Sequence, residues 1–136
     1  MDFKYIDYSD FFYQTTNKTA TPLERTGKFV QLTNETTEFV IFSPKEFTAY
    51  HADILVIFCK QQGIAHTHNA ADKYLEIVDT GWEIIGGGTW KIEEKGKLLV
   101  LWGFSQAYGK FNPEGLKEKL TTVGNLTGFT IQIDGK

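Results

Sequence analysis

The sequence has 136 residues, of which 41% are hydrophobic and 15% aromatic, enough to build one buried core. Its single cysteine, Cys59, excludes an intramolecular disulfide and fits a cytoplasmic location. The net charge of −3, without a stripe of lysines, argues against nucleic acid, and no apolar run is long enough for a membrane span. We therefore expect neither a nucleic-acid nor a membrane partner.

The first 24 residues are predicted to form an aromatic-rich arm ahead of one domain spanning residues 25–136. Six aromatic side chains lie in the first 14 residues: Phe3, Tyr5, Tyr8, Phe11, Phe12 and Tyr13. Disordered segments are depleted in aromatic residues. We therefore expect the arm to pack against the body of the domain, or to mediate self-association with a second copy of the chain.

Composition and periodicity predict the secondary structure of the domain. Three- and four-residue apolar spacing predicts a helix over 47–62, and Asn112-Pro113-Glu114 is typical of the start of a second helix. Strand-like segments occur at 28–33, 38–42, 73–79, 82–85, 90–94, 97–104 and 128–133. The segment 97–104 is apolar on both faces, which predicts a central strand with both faces covered. The prediction is an α+β fold: a mixed, mostly antiparallel sheet of about six strands flanked by two helices.

His51, in Tyr50-His51-Ala52-Asp53-Ile54, is the first candidate functional residue. It shares the apolar stripe of the predicted helix, so a core histidine is one interpretation. The other interpretation is an anion-binding site, and it depends on where the helix begins. If Ser43-Pro44-Lys45-Glu46 forms a capping box, His51 lies in mid-helix with its amide used. If Thr48 is the N-cap, the amides of His51 and Ala52 are free to bind an anion, and we favour this later start.

Two glycine-containing segments are the next candidates. Gly86-Gly87-Gly88 indicates a close approach of the backbone, or a bulge or tight crossover between strands. The Gly103–Gly109 loop, GFSQAYG, carries Ser105 and can form a nest of amides for an oxyanion. His66 and His68, near Asp72, are a weak metal-site pattern, and we expect them to be solvated.

These segments, in this order, resemble the Janus / protein phosphohistidine phosphatase family. The resemblance covers about residues 27–133 and is carried by YHADI at 50–54, by the triple glycine and by the GFSQAYG loop. It implies the same mixed sheet with two helices and no metal or other cofactor. It also implies that His51 is the catalytic residue and that phosphate is bound by amides at His51, Ala52, Ser105 and Ala107, assisted by Lys28.

The sequence departs from that family at two arginine positions. Thr89 follows the triple glycine where the family enzyme has an arginine, and Ser43 lies near the place of a second one. We expect Lys91 to compensate, because residues two apart on a strand face the same side. The stretch 64–80 is also longer, and it either adds an edge strand or covers the pocket.

Three functions remain open from the sequence. The first is a metal-independent phosphatase of phosphohistidine or a related phosphoramidate, on a protein or a small molecule, with His51 as base or phosphoryl acceptor. The second is a non-catalytic phospho-ligand or protein-interaction domain on the same fold. The third is a metal-dependent hydrolase that uses His66 and His68.

Overall fold

The computed structural model describes residues 1–134; residues 135 and 136, the end of the predicted domain, lie outside the described residues. The strands are β1 (Asp2–Asp7), β2 (Glu24–Thr33), β3 (Thr37–Pro44), β4 (His66–Asn69), β5 (Tyr74–Ile77), β6 (Glu83–Glu93), β7 (Leu98–Trp102) and β8 (Thr130–Ile133). The α-helices are α1 (His51–Gln62) and α2 (Leu116–Thr121), with a π-helical turn at Phe11–Thr16 and a 3₁₀ turn at Gly124–Leu126.

Six strands form one sheet in the order β1-β3-β2-β6-β7-β8. The pairs β1–β3 and β7–β8 are parallel, and the three pairs between them are antiparallel. The strands β4 and β5 form a separate two-stranded hairpin. The predicted α+β fold, with a mixed, mostly antiparallel six-stranded sheet and two helices, is confirmed.

The two helices cover opposite faces of the sheet, because side chains alternate along each strand. On one face, Val30 and Ile41 pack in a cluster with Leu55 and Phe58 of α1. On the other, a second cluster joins aromatic and aliphatic side chains of the strands to α2: Phe29, Phe42, Trp90, Leu99, Leu101, Leu116 and Leu120. Each fully buried large apolar side chain stabilises the fold by about 1.5–3 kcal/mol relative to an exposed one. Because His51 is the first residue of α1, it lies on the face of the sheet that α1 covers.

The segments 82–85 and 90–94 are one continuous strand, β6, with the triple glycine inside it. The ladder between β2 and β6 shifts register between Gln31 and Leu32, beside the glycines. The prediction of two separate strands on either side of the triple glycine is therefore wrong. The bulge proposed for this segment is present, but in the middle of a strand.

The strand β7 lies in the interior of the sheet, but only one of its two faces is fully covered. Leu99 and Leu101 are fully buried on the α2 side, whereas Leu98, Val100 and Trp102 on the other side are only partly buried. The reason is that α1 packs over β2 and the β4–β5 hairpin rather than over β7.

The second helix starts later and is shorter than Asn112-Pro113-Glu114 predicts. Asn112 Oδ1 accepts a hydrogen bond from the Glu114 amide at 3.0 Å, which makes a turn instead of a helix cap. Gly115 follows with a φ of 70°, and α2 begins at Leu116. Leu116 and Leu120 are buried, while Val123 lies beyond the helix end and is partly buried.

The N-terminal arm packs on the body of its own chain. Its strand β1 forms the edge of the sheet next to β3, and Tyr8 and Tyr13 are buried. The Tyr8 hydroxyl donates to Gln61 Oε1 at 3.0 Å, and the Tyr13 hydroxyl donates to Glu46 Oε1 at 2.8 Å. Self-association through the arm stays a prediction. Within the described residues, no helix combines the length and the hydropathy needed to span a membrane.

Candidate functional site

The first turn of α1 supplies the central residue of the candidate site. Tyr50 is the N-cap with extended backbone, and its amide donates to Asp53 Oδ2 at 3.0 Å, so His51 is the first helical residue. The helix therefore begins later than either predicted start. Within residues 1–134, the amides of His51 and Ala52 donate to no acceptor. These two N–H groups, at the positive end of a 12-residue helix, are suited to bind an anion.

The His51 ring is fixed by a contact with β6. Its Nε2 lies 3.0 Å from the carbonyl oxygen of Gly88. A carbonyl only accepts hydrogen bonds, so Nε2 carries the proton, and Nδ1 keeps the lone pair in the neutral ring. The Gly88 contact thereby selects the tautomer whose basic nitrogen is Nδ1.

The protonation state of His51 is also shifted. Burial lowers the pKa of His51 below the ordinary 6.5, the Gly88 hydrogen bond partly opposes this shift, and the nearby Lys28 ammonium lowers the pKa further. The residue is buried, with 7% exposure, and the lowered pKa favours the neutral ring. A core histidine and a general base are both compatible with this state.

The triple glycine allows the ring to reach the sheet. A Cβ at Gly87 would lie 2.6 Å from His51 Cδ2 and 2.6 Å from the Phe29 carbonyl oxygen, closer than carbon atoms tolerate. A Cβ at Gly86 would collide with the backbone of Lys110, which follows the serine loop. Glycine at these positions thus brings α1 and the serine loop to the same part of β6.

The serine loop, residues Ser105–Gly109, forms a second wall of the site. Ser105 and Gly109 exchange two backbone hydrogen bonds, and the Tyr108 amide donates to Ser105 Oγ at 3.1 Å. The Ser105 amide, which the resemblance implied as a phosphate donor, is therefore engaged, while its hydroxyl hydrogen stays available. In the described chain the amides of Gln106 and Ala107 donate to no acceptor, so Ala107 offers the N–H group that the resemblance implied.

Lys28 supplies a cation at the base of the site. It lies on β2 directly opposite Ser43 of β3 and Thr89 of β6, so these three side chains project from one face of the sheet. The Ser43 hydroxyl accepts a hydrogen bond from the Thr48 hydroxyl at 2.7 Å and is buried. Thr89 and Ser43, at and near the places where the resemblance implies arginines, are thus neutral, and both adjoin Lys28.

These groups line a cavity of about 460 Å³. Its walls come from the sheet, the start of α1, the serine loop and the turn of the β4–β5 hairpin: Lys28, Ala49, Tyr50, His51, Asp72, Lys73, Phe104, Ser105, Gln106 and Ala107. Of the predicted site residues, Lys28, His51, Ser105 and Ala107 line the cavity, and Ala52 lies behind His51 with its side chain 1% exposed.

Lys91 does not line this cavity. Its ammonium lies 3.7 Å from Glu24 and 3.6 Å from Glu93, and it borders a different groove. The period-two spacing does place Lys91 on the same face as Thr89. Its ammonium nevertheless pairs with Glu24 and Glu93 and lies outside the His51 cavity. Lys91 is therefore not positioned to replace the missing arginine.

The structure adds cavity residues that were not named as candidate site residues. Tyr50 and Phe104, which belong to the YHADI and GFSQAYG segments, are 44% and 61% exposed at its rim, and Lys73 comes from the inserted segment 64–80, outside any motif. The length of that insertion was the available signal, but it did not indicate which side chain reaches the cavity.

The histidines of β4 lie apart from this cavity. His66 Nδ1 contacts the Ile64 carbonyl oxygen at 2.8 Å, and His68 is exposed. Among residues 1–134, no group of three or more histidine, cysteine or acidic side chains is arranged to hold a metal ion.

Comparison with known sequences identifies the family. The family described as Janus/Ocnus family (Ocnus) matches residues 28–126, which include β2 from Lys28 onward and all of β3, α1, the β4–β5 hairpin, β6, β7 and α2. No curated protein matches the chain. The matched range contains every residue that lines the His51 cavity. The chain belongs to the Janus/Ocnus family.

Proposed function

We propose that the protein is a cytoplasmic, metal-independent phosphatase of phosphohistidine or a related phosphoramidate, carried by a protein or a small molecule. The observation that carries the proposal is a neutral, buried imidazole beside unpaired amides at the start of α1. Helix N-terminal amides favour a bound anion, and a neutral imidazole can accept a proton. The resemblance of the YHADI and serine-loop segments to phosphohistidine phosphatases supports the substrate class.

Phosphoramidate hydrolysis transfers the phosphoryl group to water. Water attacks phosphorus, the P–N bond breaks, and the leaving nitrogen keeps the electron pair and takes up a proton. The transition state is loose, with negative charge spread over three oxygens. The amides of His51, Ala52 and Ala107, the Ser105 hydroxyl and the Lys28 ammonium are the donors proposed to bind those oxygens.

His51 can act in two ways in this proposal. As a general base, Nδ1 takes a proton from the attacking water. As a nucleophile, Nδ1 forms a new bond to phosphorus while the substrate P–N bond breaks, and water then hydrolyses the phosphorylated His51. Both routes need the Nδ1 lone pair, so protonation of the ring stops both.

A second candidate function is a phospho-ligand-binding domain without turnover. Thr89 and the buried Ser43 favour it, because two neutral residues flank Lys28 and a bidentate phosphate clamp is missing there. A binding domain needs the amides at residues 51 and 52 but not the imidazole, so substitution of His51 distinguishes the two functions.

The test is release of orthophosphate from a histidine-phosphorylated peptide, measured with and without a chelator. We expect turnover by the wild type and a loss of about 10²–10⁴-fold in kcat for His51→Ala, the usual contribution of a general base. His68→Ala is the control, because this exposed histidine lies on β4 outside the cavity, and it should keep wild-type activity.

Other results would decide between the alternatives. A wild type that binds inorganic phosphate, measured by calorimetry, without turnover would support the binding domain. Neither binding nor turnover would contradict both functions. Activity that the chelator abolishes and that His68→Ala lowers would instead support a metal-dependent hydrolase.

A further inference from the structure

The segment between α1 and β6 folds as the β4–β5 hairpin, and its turn reaches the His51 cavity. Asp72 and Lys73, both in that turn, line the cavity together with Lys28 and His51. The Lys73 ammonium lies 4.8 Å from the centroid of the Tyr50 ring, over the residue that caps α1. The hairpin therefore brings a cation into the same cavity as the start of this helix.

The hairpin is held against two other walls of the site. The Leu75 amide donates to the Tyr108 hydroxyl at 2.8 Å, and that hydroxyl donates to the Leu75 carbonyl at 2.7 Å. The ring of Tyr108 stacks on Tyr74 with centroids 5.2 Å apart. The Leu75 side chain is fully buried in the cluster that contains α1. Because Tyr108 belongs to the serine loop, this packing fixes the distance between the hairpin turn and the loop.

The charges around the cavity indicate that a bound phosphate needs a second cationic contact besides Lys28. Lys28 and Lys73 are its two cations, Asp72 is its one carboxylate, and His51 is neutral at pH 7, so the cavity carries one net positive charge. Asp72 Oδ2 accepts a hydrogen bond from the Asn69 side chain at 2.9 Å, which ties this carboxylate to the turn. A phosphate group with two negative charges is not matched by Lys28 alone.

We propose that Lys73 is an anion-binding residue of the His51 cavity, contributed by the hairpin, and that it supplies the charge missing beside Lys28. This inference rests on the proposed phosphate-binding function. It assigns to the inserted hairpin a direct part in binding the phosphorylated ligand, and it gives Asp72 the opposing effect of weakening that binding.

The test measures the dissociation constant of inorganic phosphate by calorimetry for four variants and the wild type. Lys73→Asn removes the ammonium and suits the left-handed backbone of residue 73, whose φ is 53°. Lys18→Asn is a matched control, because Lys18 is also an exposed lysine with a positive φ, of 56°, but lies in the arm. Asp72→Asn removes the carboxylate, and Lys28→Met removes the other cation.

We expect Lys73→Asn to weaken phosphate binding at least about fivefold, the effect of one unit charge about 4 Å from a singly charged anion in water, and more when the phosphate carries two charges. Asp72→Asn should tighten binding by a similar factor, and Lys18→Asn should match the wild type. If Lys28→Met weakens binding while Lys73→Asn does not, the role of Lys73 is wrong and the phosphate site stands. If the wild type binds no phosphate, the proposed function fails together with this inference. Amide spectra of each variant exclude misfolding as the cause.

Discussion

At the scale of single residues, the state of His51 is set by groups from three elements. Burial at the start of α1 lowers its pKa, the Gly88 carbonyl of β6 fixes the proton on Nε2, and the Lys28 ammonium of β2 disfavours a second proton. A general base needs this combination, because the neutral ring must predominate at the working pH. The sequence placed His51 beside free helix amides, but the Gly88 contact follows from the sheet register and could not be derived from spacing.

The first prediction concerns the pKa of His51. Lys28→Met removes a positive charge close to the ring, so the pKa of His51 should rise toward the ordinary 6.5. The measurement is an NMR titration of the His51 ring, which does not depend on activity. If the protein is the proposed phosphatase, the acid limb of kcat/KM should move to higher pH in the same variant. Lys95→Met, in the exposed turn between β6 and β7, is the control.

The same shift predicts how stability depends on pH. The folded His51 has a lowered pKa, so the unfolded chain binds the proton more readily as the pH falls below about 6.5. The contribution of His51 to the free energy of unfolding is therefore complete above this pH and declines below it. Lys28→Met should lessen that decline. An unchanged His51 titration in Lys28→Met would contradict the proposed proximity effect.

At the scale of elements, the boundaries of α1 and β6 show where sequence periodicity stops being informative. Phe47 fits the apolar spacing of a helix, yet it lies in the turn before α1 and stacks on Phe12 of the arm with centroids 5.1 Å apart. An apolar residue that packs against a distant segment looks the same in the sequence as one on a helix face. Similarly, the three glycines of β6 look in the sequence like the end of a strand. Their pairing with β2 shows only in the folded sheet.

The second prediction concerns the join between the hairpin and the serine loop. Tyr108→Phe removes the hydroxyl that both accepts from and donates to Leu75 of β5, leaving these backbone groups without that partner. The free energy of unfolding should fall by about 1–3 kcal/mol, the cost of an unsatisfied buried polar group. Amide exchange at Leu75 should accelerate, since β5 then opens more readily.

A matched variant separates the loss of these hydrogen bonds from a general effect of removing a tyrosine hydroxyl from this pair of rings. Tyr74→Phe keeps the stack with Tyr108, and the Tyr74 hydroxyl makes no hydrogen bond to the described residues. It should leave both stability and Leu75 exchange near the wild-type values. Equal effects of the two substitutions would mean that the Tyr108 hydroxyl does not hold the hairpin in place.

At the scale of the whole molecule, the fold extends beyond the range that the family match covers. The match begins at residue 28, whereas β1 adds the edge strand beside β3 and Arg25 lies 3.0 Å from Glu94. The aromatic content of residues 1–14 correctly predicted that the arm packs. The strand β1 was not predicted, because DFKYID has two charged ends and pairs with β3 only across a long separation in sequence.

The last prediction tests whether the arm is part of the core. Tyr8 is 5% exposed, packs in the cluster with α1 and donates a hydrogen bond to Gln61, so Tyr8→Ala leaves a cavity and an unpaired amide group. The free energy of unfolding in urea should fall by about 3 kcal/mol, as for other buried aromatic residues. Phe11→Ala is the control, because Phe11 is 47% exposed, and it should cost less than about 1 kcal/mol. The unfolding transition of Tyr8→Ala should stay single, because an arm that shares the core unfolds with the domain. A separate early transition, or equal stability of the two variants, would show that the arm is an appendage and that the sheet is complete without β1.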